Sequence, residues 1–304
     1  MPVDGNPGNK KLWKPLVTKF RAKLTIWKAA SLSFDGRLTL FNSVLSTLPI
    51  FYMSLFLIPS FVLTKLISIQ RTFLWGGVEG QKKISWVKRD NVCSSKVKRG
   101  LGVSDLHRKN WALLGKWWYR FGDGVESLWK WIVTEKYYGS KWEEVDITAV
   151  GNWRTSSIWR DIISVGGHSM RFRNMWVEGF RWEVGEGNQV GFWRELWVGN
   201  KNLRDLCPRL YELSTNKLGN ISDMGVWEGD KWCWKVEWRR GRIGREKDEE
   251  ELLWEVLDSF QLKKGVEDCW MWIHDSAGSY MVKRAYEFLA PTERILENQL
   301  SKLI

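Results

Sequence analysis

KKLWKPLVTKFRAKLTIWKA, residues 10–29, decides how the chain is read. Leu12, Leu16, Phe20, Leu24 and Trp27 fall on one stripe of a helix turning about 100° per residue. Lys10, Lys11, Lys14, Arg21 and Lys28 fall on the opposite side, so the spacing predicts a buried helix that carries a basic ridge. Asp35-Gly36 marks a turn. A second helix is expected beyond it, with Leu38, Phe41, Val44, Leu45 and Leu48 inward and Pro49 as its stop. A third is expected over Phe61–Trp75, its inward side Phe61, Leu63, Leu66, Ile69, Gln70 and Phe73, ended by Gly76-Gly77.

Leu38 to Thr64 contains no charged residue, and VLSTLPIFYMSLFLIPSFVL (44–63) has the length of a membrane span. Pro49, Pro59 and the interspersed Ser, Thr and Asn residues break that run into pieces of about ten residues, the size of buried core helices. A membrane is therefore the disfavoured partner. The start of the chain shows no apolar signal segment, and Cys93, Cys207, Cys233 and Cys269 form neither a CxxC pair nor a disulfide framework. These features point to an intracellular protein, nuclear or cytoplasmic rather than secreted.

Charge is distributed unevenly. The 304 residues carry 47 Lys/Arg against 35 Asp/Glu, and the first 120 residues hold more than the whole excess. Between 81 and 120 only Asp90 and Asp105 offset the cations. Such asymmetry predicts an anionic partner for that part of the molecule. The segment opens with alternating Lys83–Lys88 and passes through Gly100-Leu101-Gly102. It then enters a helix capped near Ser104, with Leu106, Leu113, Leu114, Trp117 and Phe121 inward.

From 126 onward short helices and strands alternate in a stretch rich in Trp and Gly. Arg181–Val184 and Gln189–Trp193 read as a hairpin around Gly185-Glu186-Gly187-Asn188. Cys269–Ile273 and Ser279–Val282 read as a second hairpin that feeds a helix from Lys283. REKDEEELLWEVLD (245–258) reads as an acidic helix with Leu252, Leu253, Val256 and Leu257 inward. Of the 23 tryptophans, Trp27, Trp117, Trp254 and Trp270 are in phase with apolar neighbours, whereas Trp111, Trp118, Trp232 and Trp234 flank charges and could stack on bases.

No GxxxxGK[ST], HExxH or GxSxG motif is present, nor an acidic pair of the polymerase type. Gly185-Glu186-Gly187 precedes no helix and is read as a turn, not as a phosphate cradle. His107, His168 and His274 have no patterned partner. No catalytic, metal or cofactor residue is expected, and no cofactor.

Several strings, in order, resemble the region beyond the catalytic palm of plant LINE-type non-LTR retrotransposon reverse transcriptases. They are Trp27-Lys28, Leu32–Leu45 (LSFDGRLTLFNSVL), Leu48–Ser54 (LPIFYMS), Phe73–Gly77 (FLWGG), Lys83–Trp86 (KISW), Gly100–Val103, Asp105-Leu106 and Ala112–Trp117 (ALLGKW). Gly185–Gly187 with Phe192-Trp193 and Trp197, Pro208–Tyr211, and Val282–Tyr286 continue the series, so the likeness runs over about 5–289. Arg99 stands where the family usually has glycine, Met281 where it usually has serine, and residues 290–304 no longer look like the family.

The resemblance implies a thumb and connector truncated at both ends, with the metal-binding palm lying upstream. It implies nucleic acid, RNA or DNA without sequence preference, as partner, together with the missing palm domain. The expected fold is α+β, predominantly α. The expected parts are a thumb-like helical unit (1–80), a basic connector (81–125) and a Trp-rich wrist-like unit (126–304), with 290–304 a tail outside the family. A thumb helix lies along a template–primer duplex, which agrees with the ridge. Expected phosphate contacts are Lys10, Lys11, Lys14, Arg21, Lys28, Arg37, Lys82, Lys83, Lys88, Arg89, Lys96, Lys98, Arg99, Arg108, Lys109 and Lys116. Polymerase activity would belong to a longer chain. An inert remnant and a membrane-attached interaction protein are the rival expectations.

Overall fold

The structure is a computed structural model that describes residues 8–27, 31–77, 87–94, 96–123, 127–137, 156–168 and 170–290. Contacts divide the chain into two units, one of Met1–Tyr119, Ser127–Met175 and Met281–Ile304, the other of Arg120–Glu126 and Trp176–Tyr280. The fold is α+β and mainly α.

In the first unit, α1 (Lys10–Trp27) starts where the Asn9 side chain accepts from Lys11 N at 3.0 Å, the usual N-cap chemistry. Leu12, Trp13, Leu16 and Phe20 are buried as the periodicity requires. The Trp27 side chain lies outside the described residues. α1 packs on α4 (Ser60–Leu74), whose Val62, Leu66, Gln70, Phe73 and Leu74 are buried. Phe61, expected inward, is instead exposed. α4 ends at Gly76, whose φ of 68° suits glycine and where a Cβ would stand 3.2 Å from Arg37 Nη1.

The second expected helix begins earlier and is not uniform. α2 (Phe34–Leu40), capped by Ser33 Oγ accepting from Gly36 N at 3.1 Å, passes into a π-helical turn over Phe41–Leu45. Hydroxyls explain the distortion. Ser43 Oγ donates to Thr39 O at 2.8 Å and Thr47 Oγ1 to Val44 O at 2.9 Å, competing with the regular ladder.

Beyond the one-turn α3 (Ile50–Met53) the chain runs irregularly to Pro59. Its backbone is satisfied by side chains of other helices. Asn110, fully buried on α6 (Leu106–Gly122), accepts from Ile58 N at 2.8 Å and donates to Met53 O at 2.7 Å and Phe56 O at 2.9 Å. Trp117 Nε1 donates to Ser54 O at 2.6 Å. Leu57 N donates to Asp161 on α8 (Ser157–His168), at 2.9 Å. The uncharged run thus contributes Phe41, Leu45, Met53, Phe56, Ile58 and Val62 to the core, and among the described residues no helix is long and apolar enough to cross a membrane.

Two more helices of this unit flank α6 in sequence, α5 (Arg89–Cys93) before it and α7 (Leu128–Tyr137) after it. Asp105, one residue past the expected Ser104, caps α6 by accepting from Arg108 N at 2.9 Å. α13 (Val282–Phe288) ends the described chain, and Tyr286 Oη accepts from Asp105 N at 2.8 Å.

The second unit corrects the expected hairpins. α9 (Met170–Gly179) leads into β1 (Phe180–Glu183), which pairs antiparallel not with 189–193 but with β4 (Cys269–Trp272), placing Trp182 opposite Trp270. The Gly185–Gly187 loop cannot close a tight hairpin because it is wrapped around Asp268. That carboxylate accepts from Gly185 N, Gly187 N and Gln189 N, each at 2.8 Å. The loop does cradle an anion, and the anion is the chain's own. The turn after β4 forms, with Gly278 N donating to Asp275 O at 3.1 Å, but no strand follows it.

A hairpin with no counterpart in the sequence reading joins β2 (Gly225–Glu228) to β3 (Lys231–Trp234). α10 (Leu203–Leu206) and α11 (Pro208–Leu213) precede it, and α12 (Arg245–Asp258) follows within the predicted bounds. Leu253 and Leu257 of α12 are buried, whereas Leu252 faces solvent. Trp193, Trp197 and Trp232 fill this core with Phe192 and Leu210.

Candidate nucleic-acid interface

Lys10, Lys11, Lys14 and Arg21 all stand exposed on α1, joined by Lys19 and Lys23, which the sequence reading left out. Residues 8–77 contain a single carboxylate, Asp35, which sits in the first turn of α2. Lys10, Lys11, Lys14, Lys19, Lys23 and Lys65 have no ion-pair partner among the described residues. Lys10 Nζ lies 5.7 Å from the centre of the exposed Phe61 ring. No acidic side chain occupies the first turn of α1. Lys10 and Lys11 therefore oppose the helix dipole, and the arrangement is locally unfavourable.

The second unit treats cations differently. Arg209 pairs with Glu249 at 2.8 Å, Arg240 with Glu246 at 2.8 Å and Arg242 with Glu250 at 2.5 Å. The Arg240 guanidinium and the Ile243 N–H hold Glu246 down at a pKa of about 2. Glu249 also accepts from Arg209 N and Leu210 N, capping α11.

Other expected contacts are placed inside the first unit. Arg37 is half-buried, with Nε donating to Leu74 O at 2.9 Å and Nη1 to Leu32 O at 2.6 Å, so its donors tie α2 to the end of α4. Lys109 Nζ donates to Ser46 O at 3.0 Å, and burial lowers its pKa. Arg108 lies 4.8 Å from the centre of the Tyr286 ring. Arg89 is half-buried, its Nε and Nη2 without hydrogen-bond partners among the described residues. Lys88, Lys96, Arg99 and Lys116 are exposed. Lys28, Lys82 and Lys83, and the side chain of Lys98, lie outside the described residues.

Two of the candidate stacking tryptophans are core instead. Trp118 donates Nε1 to Ile162 O at 2.6 Å and Trp232 is buried in the second core, while Trp111 and Trp234 are half-buried. Among the described residues no group of three or more His, Cys, Asp or Glu could hold a metal ion.

Comparison with known proteins adds two relatives from Arabidopsis thaliana. An "Uncharacterized mitochondrial protein AtMg00310" is 32% identical over 152 residues, which is 50% of this chain and 92% of that protein. This chain belongs to the family of that mitochondrial protein. A second relative of this family member, named "Putative ribonuclease H protein At1g65750", is 32% identical over 301 residues. The alignment takes in 96% of this chain and 45% of that relative, so the chain spans less than half of that protein's length. No family model matches, and no solved structure matches.

Proposed function

We propose that this chain is a retrotransposon-derived segment, equivalent to the thumb and post-palm connector of a LINE-type reverse transcriptase. In this reading it grips nucleic acid through phosphate contacts, without sequence preference, and carries no polymerase centre. The observation that carries the reading is the set of unpaired lysines on α1, beside a single carboxylate in residues 8–77. A basic face kept only for solubility gains from interspersed acids, as in the second unit, whereas an unneutralised face gains most when it meets a polyanion. The relative named as a ribonuclease H protein supports an origin in nucleic-acid processing.

The test is a salt titration of duplex binding by the purified chain. If about six phosphates are engaged, log K falls against log salt with a slope of about −5. Replacing Lys10, Lys11 and Lys14 by Glu shifts that slope toward zero by about 3. It leaves α1 folded, because acidic residues suit a helix N-terminus. Salt-independent affinity, or none at low salt, refutes the reading. Primer extension with magnesium is expected to yield no product.

A further inference from the structure

The cleft of about 680 Å³ in the first unit is lined by Phe34, Trp75, Asn91, Ser94, Arg99 and Leu101. We propose that it receives an unpaired nucleobase together with its phosphate. The proposal rests on the nucleic-acid reading and adds a site to it that handles bases, apart from the phosphate-contacting ridge on α1.

Phe34 and Trp75 are half-buried, with ring centres 5.9 Å apart and planes tilted by 37°, so they form an aromatic wall rather than a closed stack. Arg37 lies by Phe34, 6.0 Å from the ring centre, and its guanidinium is committed to Leu74 O and Leu32 O. It fixes the wall and leaves Arg99 as the lining cation. An aromatic surface takes any base, because every base has a π face.

Two of the three polar side chains of the cleft are unengaged. The Asn91 amide and the Arg99 guanidinium have no hydrogen-bond partner among the described residues, whereas Ser94 Oγ donates to Asp90 O at 2.8 Å. A free amide can read a base edge, and a free guanidinium matches a phosphate in bidentate fashion. Lys88 and Lys96, close in sequence to the lining residues, are exposed, against the single exposed Asp90.

The backbone under Arg99 points the same way. Arg99 has φ of 59°, the one positive value at a non-glycine residue of the described chain. The next residue, Gly100, could not be anything larger, since a Cβ there would stand 2.1 Å from Ser94 O. This turn holds a long cationic side chain at a left-handed position that glycine would occupy without strain. Such strain persists where the side chain has work to do.

The test compares probes at matched salt: a single strand of about 12 nucleotides, an abasic strand of the same length, a blunt duplex and a free nucleoside monophosphate. The intact strand is expected to bind about 10-fold more tightly than the abasic one. Arg99→Ala keeps the strained backbone and removes the guanidinium, and Trp75→Leu removes the wall. Trp75→Leu is expected to bring the intact strand down to the abasic level without changing duplex affinity, and Arg99→Ala to weaken the intact strand more than the duplex. Saturable, Arg99-dependent binding of the free nucleotide would mark the base and its phosphate as sufficient, and its absence beside strand binding would mark the strand as the ligand source. Equal binding of intact and abasic strands, or equal losses for strand and duplex in the variants, overturns the proposal. If duplex affinity is absent while the nucleotide still binds through Arg99, the ridge reading falls and the base site stands.

Discussion

Two amides with no exposure lie in the same helical unit and predict opposite responses to the same kind of change. Asn110 makes three hydrogen bonds, to Ile58 N, Met53 O and Phe56 O, at 2.8, 2.7 and 2.9 Å. Gln70 on α4 makes none among the described residues, with Nε2 and Oε1 both buried. Asn110→Leu is nearly isosteric, but it removes three bonds worth about 1 kcal/mol each and strands a backbone N–H and two carbonyls in the core. Part of that penalty is relieved by local rearrangement, which leaves an expected loss of about 4 kcal/mol. Gln70→Met removes an unpaired amide whose burial costs about 1–3 kcal/mol and fills the space with a flexible apolar chain, so a gain of about 1 kcal/mol is expected. Hydrogen exchange read on peptides from 50–58 and 62–74 isolates this unit from the tryptophan-rich one. Protection should fall by about 1000-fold in the first variant, and rise by about 5-fold in the second, when both are read at the slowest exchanging amides. Shifts of the same sign would refute the claim that hydrogen-bond satisfaction, not polarity, decides the role of these amides.

Three further outcomes follow from particular contacts. Asp268→Ala strands the three N–H groups of the Gly185–Gln189 loop, and is expected to cost about 3 kcal/mol in urea denaturation followed by tryptophan fluorescence. Arg99→Gly relieves a positive φ and should stabilise the first unit by about 1 kcal/mol in thermal denaturation, while weakening the strand binding proposed above. Glu246 has a folded pKa depressed to about 2 by Arg240, below its ordinary value near 4.5. Its contribution is therefore present above about pH 4.5 and is lost as pH falls toward 2. The start of α12 should loosen over that window, as read by the Glu246 carboxyl carbon shift in NMR, and Glu246→Gln should abolish the transition.

What the sequence made legible was whatever periodicity could express. α1 stands within the expected bounds because its apolar residues recur at helical spacing over more than three turns, and α12 because its apolar residues Leu252, Leu253, Val256 and Leu257 follow an acidic first half suited to a helix N-terminus. The buried face of α4 was mostly legible for the same reason, although Phe61 turned outward beneath Lys10. Strand pairing was not legible, since the partner of β1 is β4, close to ninety positions away, and the local glycine-rich loop looked like a hairpin turn. The signal that could have exposed it is Asp268, a carboxylate just before a Trp-rich strand, but nothing local links it to Gly185. Arg37 and Lys109 show the same limit at the candidate interface. By residue type they resemble every other cation in the basic half, and only the carbonyls of Leu32, Leu74 and Ser46 show where their donors go.

The distinction between engaged and unengaged cations carries more weight than net charge. A carboxylate beside each lysine would have left the first unit equally soluble and relieved its self-repulsion, as pairing does for Arg240 and Arg242. Instead the helix that starts with two lysines against its own dipole carries three further lysines, Lys14, Lys19 and Lys23, and the helix packed on it adds Lys65. Arg37 and Lys109 show that this unit can give a cation an internal partner where it needs one. In the function proposed above, the lysines left exposed on α1 are the ones that meet a partner from outside, and phosphate spacing along a nucleic-acid backbone supplies anions in a row as α1 supplies cations.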